Sequence, residues 1–445
     1  MVEKEVNIDI LRDNIKKLKQ ASSVVCKQKN NTKCEKNTKN DEKMHKKGKN
    51  NNNSPKFCAV VKANAYGHGY KQVCRAISDL VDFFAVANAT EALQIRALKL
   101  KKHILLLGKF DSQDLPKLIK SGIRLTCDTL ADISAINEIA THLNKRAYVH
   151  IKLNTGMNRL GIKTAQQLQQ LLTEIDKCSI IKIEGIYTHF ATAESQNSYK
   201  LKRQNAKFQS MLDLVKSRKL IIHASNSTAF LKSNKYNYSM IRVGLAMYGY
   251  DNVHKVDVSP CLNIRAKIVK TQTLQKGETV GYGASFIAPY QMQIAVVSIG
   301  YADGYLRAYE KGFVLICGQK CPIVGHICMD MFMCDITNLK FKKTFTCSSI
   351  FDSVIDTMCD SMQISRTNND KILMYSFKSL LDKVFPHNYN LHKTFNDFDG
   401  LPTSAPLFAT ILGTDGAEQI TARDLANLSN TIEYETLTNF NLLRT

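Results

Sequence analysis

The chain has 445 residues, 44% of them apolar, which is enough for a large core and for more than one domain. Much of the excess behind its formal charge of +22, a net +7, sits in one Lys- and Asn-rich stretch from Lys27 to Lys56; no aromatics interleave it for base stacking, so a solvated segment fits it better than a nucleic-acid arm. The opening MVEKEVNIDI lacks the apolar core of a signal peptide, no run approaches the roughly 20 apolar residues of a membrane span, and the 13 cysteines lack paired CxxC spacing, which fits reduced cytoplasmic thiols and no metal site.

Residues 1–20 read as a strand and helix segment, with Asp9 as the expected N-cap and Leu11, Ile15 and Leu18 on one helical face. Residues 21–56 form the low-complexity stretch into which that helix is expected to dissolve. From Phe57 short apolar runs recur, each followed by a segment of helical periodicity: FCAVVK at 57, FFAVA at 83, HILLL at 103, IRLTC at 123, AYVHIKL at 147, IEGIYTH at 183, LIIHAS at 220 and SMIRVG at 239. Continuous β-rich runs suit strands buried on both faces, and eight strand-helix units are the number that closes a barrel. The expected class is α/β, a (β/α)8 TIM-type barrel over residues 57–250 followed by a mainly β domain over 251–445. Beyond Pro260 the segments NIRAKIVKTQTL, QIAVVSIGY and FVLICGQKCPIVG read as strands without intervening helices. A polar stretch at about 339–405, around the amphipathic MYSFKSLLDKVF, reads as a surface insertion.

A barrel of this kind collects its chemistry where the strands end, which brings Lys62, Arg159, His189, Ser227 and Arg242 to one mouth. Burial of Lys62 after AVV would favour the neutral amine that imine chemistry requires, although a lysine at a strand end also simply reaches to water. The late segments HASNSTAF and MIRVGLAMYG offer amides, a hydroxyl and a glycine, the usual makings of a phosphate site. A lysine and a phosphate cradle on one mouth point to pyridoxal 5'-phosphate.

The motifs AVVKANAYGHG, LNTGMNRLGI, YTHFATAE, HASNSTAF and IRVGLAMYG, followed by VGYGASF at 280, IGYADGYLR at 299, PIVGHICMD at 322 and TIEYETL at 431, resemble in order those of the alanine racemases, fold-type III pyridoxal-phosphate enzymes. The resemblance covers nearly the whole chain outside the Lys/Asn stretch and the late insertion. It implies a cofactor carried on Lys62 and a two-base exchange in which Lys62 serves D-alanine and Tyr282 serves L-alanine. It places Tyr66, Arg159, His189, Asn226, Ser227, Arg242, Gly244, Leu245 and Tyr434 around the cofactor, with Arg159 and Met329 touching a small amino-acid substrate. Tyr301, Arg307 and His326 would form an entrance gate, and Lys152 would be a candidate carbamate pairing with Arg159. The family's architecture further implies a head-to-tail homodimer with shared sites, no nucleic-acid or membrane partner, and D-alanine made for peptidoglycan.

Taken singly, several of these residues allow plainer readings: Tyr282 as a packed turn tyrosine, Arg242 as a buried ion-pair residue, Arg159 as a surface arginine and Met329 as core. The chain also departs from the family. Asn154 and Asn158 stand where Asp and Gly are more usual, and His326 stands where an arginine is common, which makes the entrance less positive. Among rivals, a serine or broad-specificity racemase shares every motif. A pyridoxal-phosphate carrier protein lacks the second domain that VGYGASF and GHICMD mark, and a nucleic-acid-binding protein rests on charge alone.

Overall fold

The computed structural model describes residues 2–31, 54–340 and 407–440. The chain divides into two units, Met1–Asp335 with Phe408–Thr445, and Ile336–Leu407; the fold below is that of the first. The expected insertion piece MYSFKSLLDKVF and most of the Lys/Asn stretch lie outside the described residues.

A first strand, β1 (Val2–Val6), leads into a helix at Ile8–Asn31. Leu11, Ile15 and Leu18 are fully buried along one face, as their spacing predicts. The cap is Asn7 rather than Asp9: the Asn7 side chain accepts from Ile10 N at 3.0 Å, and Asp9 sits inside the first turn, where its charge favours the helix dipole. The helical backbone also continues to Asn31, into the stretch where it was expected to have dissolved.

The eight apolar runs become eight strands: β2 (Lys56–Val60), β3 (Phe83–Val86), β4 (His103–Leu106), β5 (Leu125–Cys127), β6 (Ala147–Lys152), β7 (Ile181–Tyr187), β8 (Ile221–His223) and β9 (Met240–Val243). All pair in parallel, in the order β4-β3-β2-β9-β8-β7-β6-β5, and a bridge between Leu105 and Arg124 joins the two edges into a barrel. Helices between the strands start at local signals. Asn88 caps Ala89–Ala97, while Thr129 with Asp132 and Thr164 with Gln167 form capping boxes that open Leu130–His142 and Ala165–Asp176.

The second domain is built from β10 (Leu262–Leu274), β11 (Thr279–Val280), β12 (Phe286–Ile287), β13 (Met292–Val297), β14 (Phe313–Ile316), β15 (Gln319–Val324), β16 (Phe332–Asp335), β17 (Phe408–Asp415) and β18 (Glu418–Ile420). Its main sheet runs β1-β10-β13-β16-β15-β14-β17-β18, with β10 also pairing β17. The amino-terminal strand thus belongs to the carboxy-terminal domain, with Val2 opposite Ala266 and Val6 opposite Leu262. Two short helices, Ala422–Leu428 and Glu433–Asn439, follow, and the second packs on the turn after β2.

Asn14 fastens these parts together. Its side chain is 1% exposed; Nδ2 donates to Met247 O (3.2 Å) and Ser259 O (2.8 Å), and Oδ1 accepts from Ser259 N (3.0 Å). Asn14→Ala should strand these buried backbone groups and lower the unfolding free energy by on the order of 3 kcal/mol, read as a lower urea midpoint; an unchanged midpoint would show that the fastening is dispensable.

Candidate active site

Lys62 stands just past β2, at the start of an unusual turn. Ala63, Asn64, Ala65 and Tyr66 all have left-handed backbone angles, with φ of 51°, 53°, 56° and 52°. Such a run costs roughly 1–2 kcal/mol per non-glycine residue, so it needs outside support. Glu91 supplies much of it, accepting from Ala63 N at 2.7 Å with one oxygen and from Ala87 N at 2.8 Å with the other. Asn64 Oδ1 accepts from Tyr70 N at 2.9 Å, and Lys4 Nζ donates to Gly67 O at 3.0 Å. Gly67 lies against the Leu437 carbonyl, where a side chain would collide. The turn leaves Lys62 half-buried at the barrel mouth. Burial, then the charge of Arg159, lowers its pKa, while Glu91 works the other way.

Three further cations share this mouth. Arg242, on β9, is 3% exposed and donates to His223 Nδ1 (2.8 Å), Thr188 O (2.9 Å), Ala224 O (3.0 Å) and His189 Nδ1 (3.3 Å). The plainer reading of Arg242 as an ion-pair residue is therefore replaced: among the described residues its hydrogen-bond partners are neutral acceptors. Burial, followed by Arg242, Arg159, Lys152 and Lys62, drives the His189 pKa down to about 3, so its imidazole is neutral. Since Arg242 can only donate, the His189 proton sits on Nε2. Lys152, at the end of β6, lies 5.5 Å from the Tyr187 ring centroid, and burial together with Arg159 and Arg242 lowers its pKa to about 8. Arg159 is exposed at the rim. The loop that carries it is held by the two asparagines: Asn154 Oδ1 accepts from Gly156 N (3.1 Å) and Asn158 N (3.0 Å), and Asn158 takes the left-handed φ of 56°. Asparagine is among the residues that tolerate that conformation best.

Beside the cations lies a cradle of small and hydroxylic groups. The buried Ser227 Oγ accepts from Gly244 N (3.1 Å) and Ala246 N (3.4 Å). The Asn226 side chain caps its own helix by accepting from Ala229 N at 2.9 Å. Leu245 is buried in the turn after β9. The Tyr66 ring packs 5.0 Å from Tyr248 and 5.8 Å from Tyr434, and a Cβ at Gly244 would come within 2.5 Å of Tyr66 Oη. Burial raises the pKa of both Tyr66 and Tyr434, so their hydroxyls stay protonated donors.

The remaining candidates gather on the β domain. Tyr282, after β11, is 74% exposed, and its hydroxyl has no hydrogen-bond partner among the described residues; it is not a packed turn tyrosine. Met329, 49% exposed, is not core. Tyr301 N bonds Cys328 O (3.1 Å), which sets Tyr301 beside Met329, and Gly281 packs against the His326 backbone. Arg307 Nε (3.2 Å) and His326 Nδ1 (3.0 Å) both meet the Glu310 carboxylate. The structure thus assembles one cluster at the barrel mouth and a second on the exposed face of the β domain.

Residues 35–252 match the family described as alanine racemase, N-terminal domain, and residues 261–373 the alanine racemase, C-terminal domain. The chain is 35% identical over 291 residues to an alanine racemase of Methanococcus maripaludis, covering 63% of this chain and 78% of that protein. It is 35% identical over 340 residues to one of Staphylococcus epidermidis, covering 74% and 87%. The chain belongs to the alanine racemase family. Solved alanine racemases share its fold: that of Clostridium difficile superposes with a TM-score of 0.71 at 25% identity, covering 98% of this chain and 92% of that one. One from Bartonella henselae, described with covalently bound pyridoxal phosphate, superposes with a TM-score of 0.70 at 23% identity, covering 99% and 97%. The chain is accordingly an amino-acid racemase, an isomerase of the pyridoxal-phosphate-dependent class. Among the described residues no helix is long and apolar enough to cross a membrane.

The racemase mouth is chemically suited to that cofactor: a half-buried amine, a glycine whose missing Cβ leaves room beside Tyr66, hydroxyl and amide groups around it, and a guanidinium in the floor. Two carboxylates, Glu91 at the mouth and Glu310 in the cluster on the β domain, were not singled out from sequence. Glu91 carries a local trace, since Asn88 and Glu91 form the N-x-x-E start of a helix; nothing local shows that its carboxylate reaches back to Ala63. Glu310 carries no sequence signal at all.

Proposed function

We propose that this chain interconverts L- and D-alanine with pyridoxal 5'-phosphate held covalently on Lys62. In this reading the working form is a head-to-tail homodimer in which Tyr282 and Met329 of one copy complete the mouth of the other. The observation that carries it is the pairing of a half-buried amine of lowered pKa in the mouth with a tyrosine left 74% exposed on the β domain. The bound cofactor supplies electron withdrawal that acidifies the α-hydrogen of the substrate.

This chain's residues do the rest. Lys62 Nζ holds the α-proton on one face of the substrate carbon, and Tyr282 Oη holds it on the other. A tyrosine serves as a base where positive charge stabilises its phenolate. His189 is neutral, so that charge comes from Arg242, with the His189 Nε2–H as the link. Arg242, which gives up its proton with difficulty, would be the residue that holds the cofactor's ring nitrogen, and a guanidinium there would leave that nitrogen unprotonated and favour racemisation over transamination. Arg159 offers a forked donor to the substrate carboxylate. Tyr66, Asn226, Ser227, Gly244, Leu245 and Tyr434 would hold the phosphate. D-Alanine made this way feeds peptidoglycan synthesis, and the enzyme works in the cytoplasm, where its described cysteines, all free thiols, stay reduced.

The direct test is a chiral assay of alanine interconversion with and without pyridoxal 5'-phosphate, extended to a panel of L-amino acids; faster turnover of serine or of many substrates would replace alanine specificity. Mixed Lys62→Ala and Tyr282→Phe protomers should recover about one quarter of wild-type activity, because half of the dimers carry one intact shared site. Verified heterodimers without activity would rule out sharing.

The lowered pKa of Lys152 leaves neutral amine to add carbon dioxide, and the resulting carbamate would pair with Arg159. The intact mass of the enzyme in bicarbonate should rise by one carbon dioxide and lose that increment in Lys152→Met; an unmodified mass removes the carbamate. At the entrance, His326→Arg adds a permanent charge beside Glu310. It should change the KM for alanine by about threefold while kcat moves less than twofold, and an unchanged KM would show that steering does not operate there.

A further inference from the structure

Beneath Arg242 a line of polar side chains crosses the barrel interior. His223 on β8 and His150 on β6 are fully buried. Arg242 Nη1 meets His223 Nδ1 at 2.8 Å, His223 Nε2 meets His150 Nδ1 at 2.9 Å, and His150 Nε2 meets Glu184 Oε2 at 3.2 Å. Glu184, on β7, is gripped in turn by Arg124, whose Nε and Nη2 donate at 2.9 and 3.1 Å. Space is made for the line: a Cβ at Gly185 would come within 2.5 Å of His150 Nδ1. Tyr187 stacks flat on His223, with ring centroids 4.6 Å apart and planes 5° from parallel.

The direction of every bond is set from both ends of the line together, by Arg242, which cannot accept, and by Glu184, which cannot donate; with either end removed one imidazole N–H loses its partner and the other tautomer competes. A guanidinium only donates, so His223 Nδ1 accepts and the His223 proton lies on Nε2. His150 Nδ1 must then accept, which puts its proton on Nε2, facing a carboxylate that only accepts. Burial lowers the pKa of both imidazoles, in keeping with neutral rings. If either ring took its other tautomer, N–H would face N–H in a dry interior, and a buried unsatisfied donor is costly.

We propose that Glu184 is a positioning residue for the racemase reaction: by accepting from His150 it fixes the tautomers of His150 and His223, so that Arg242 meets only acceptors inside the barrel and turns its charge toward the mouth. A carboxylate placed directly on Arg242 would neutralise that charge. Here Glu184 stands three hydrogen bonds away and is itself ion-paired with Arg124. The inference rests on the assignment of Arg242 to the cofactor ring.

Two double variants separate tautomer control from simple structure. Arg124→Met/Glu184→Leu removes the acceptor; Arg124→Met/Glu184→Gln keeps an acceptor oxygen without charge. In the holoenzyme the first should lower kcat about tenfold with KM for alanine within about twofold, and shift the cofactor's visible absorption, while the second stays within about threefold of wild type. Nitrogen-15 spectra of labelled histidine should show His150 and His223 protonated on Nε2 alone in the wild type and in the glutamine variant, and mixed in the leucine variant. A wild-type His223 protonated on Nδ1 overturns the proposal, whatever the variants do. So does a leucine variant with wild-type kcat and tautomers, or a glutamine variant as impaired as the leucine one. Arg242→Leu tests the underlying assignment separately: unchanged cofactor absorption there removes Arg242 from the ring while the tautomer result stands by itself.

Discussion

A guanidinium sealed inside a barrel has to satisfy its N–H groups without help from water, and among the described residues Arg242 does so without a carboxylate partner. Two backbone carbonyls and two imidazoles surround it. Each acceptor is neutral, so the positive charge is not cancelled where it is made. Its influence spreads to the neighbours: it helps hold His189 neutral and helps lower the pKa of Lys152. Arg159 adds to this at the rim, where it lowers the pKa of Lys62. The mouth is thereby both rich in cations and short of protons, a combination suited to a carbonyl cofactor with an anionic phosphate and an anionic substrate.

Such a site has to be held still. Lys62 is aimed by four consecutive left-handed residues, a conformation that would relax if Glu91 did not hold both Ala63 and Ala87. The same turn is pressed from the other side by the Glu433–Asn439 helix of the second domain, and Lys4, beside the β1 strand pairing, ties to Gly67. The first strand and the last described helix therefore meet at the turn that follows Lys62. Strain stored in the turn is offset by contacts from far along the sequence.

Tyr282 shows the opposite arrangement. Its ring projects with no partner among the described residues from the domain that also carries Met329, Tyr301 and the Glu310 pair of Arg307 and His326. A large aromatic left in solvent on a surface that also exposes Ile287, Tyr290 and Met331 is the expected face of an assembly.

Strand identity and order were legible in the sequence because burial on both faces writes itself into consecutive apolar residues, and eight such runs can close in only a few ways. Lys62, Arg242 and the glycine at 244 were legible as residues at strand ends. The cap at Asn7 was misplaced by two positions, a distance over which Asp and Asn signals are equivalent. What only the tertiary structure decided is who touches whom across long separations: β1 joining a sheet some 260 residues later, Glu91 reaching back to Ala63, and Glu184 governing Arg242 through two histidines on other strands. Each of these is a contact between side chains or backbones that have no periodic relation in the chain, so no local pattern can encode it. The sequence by itself determined the barrel and its lysine; the folding of distant carboxylates onto them decided how that lysine is aimed and how its neighbouring guanidinium keeps its charge.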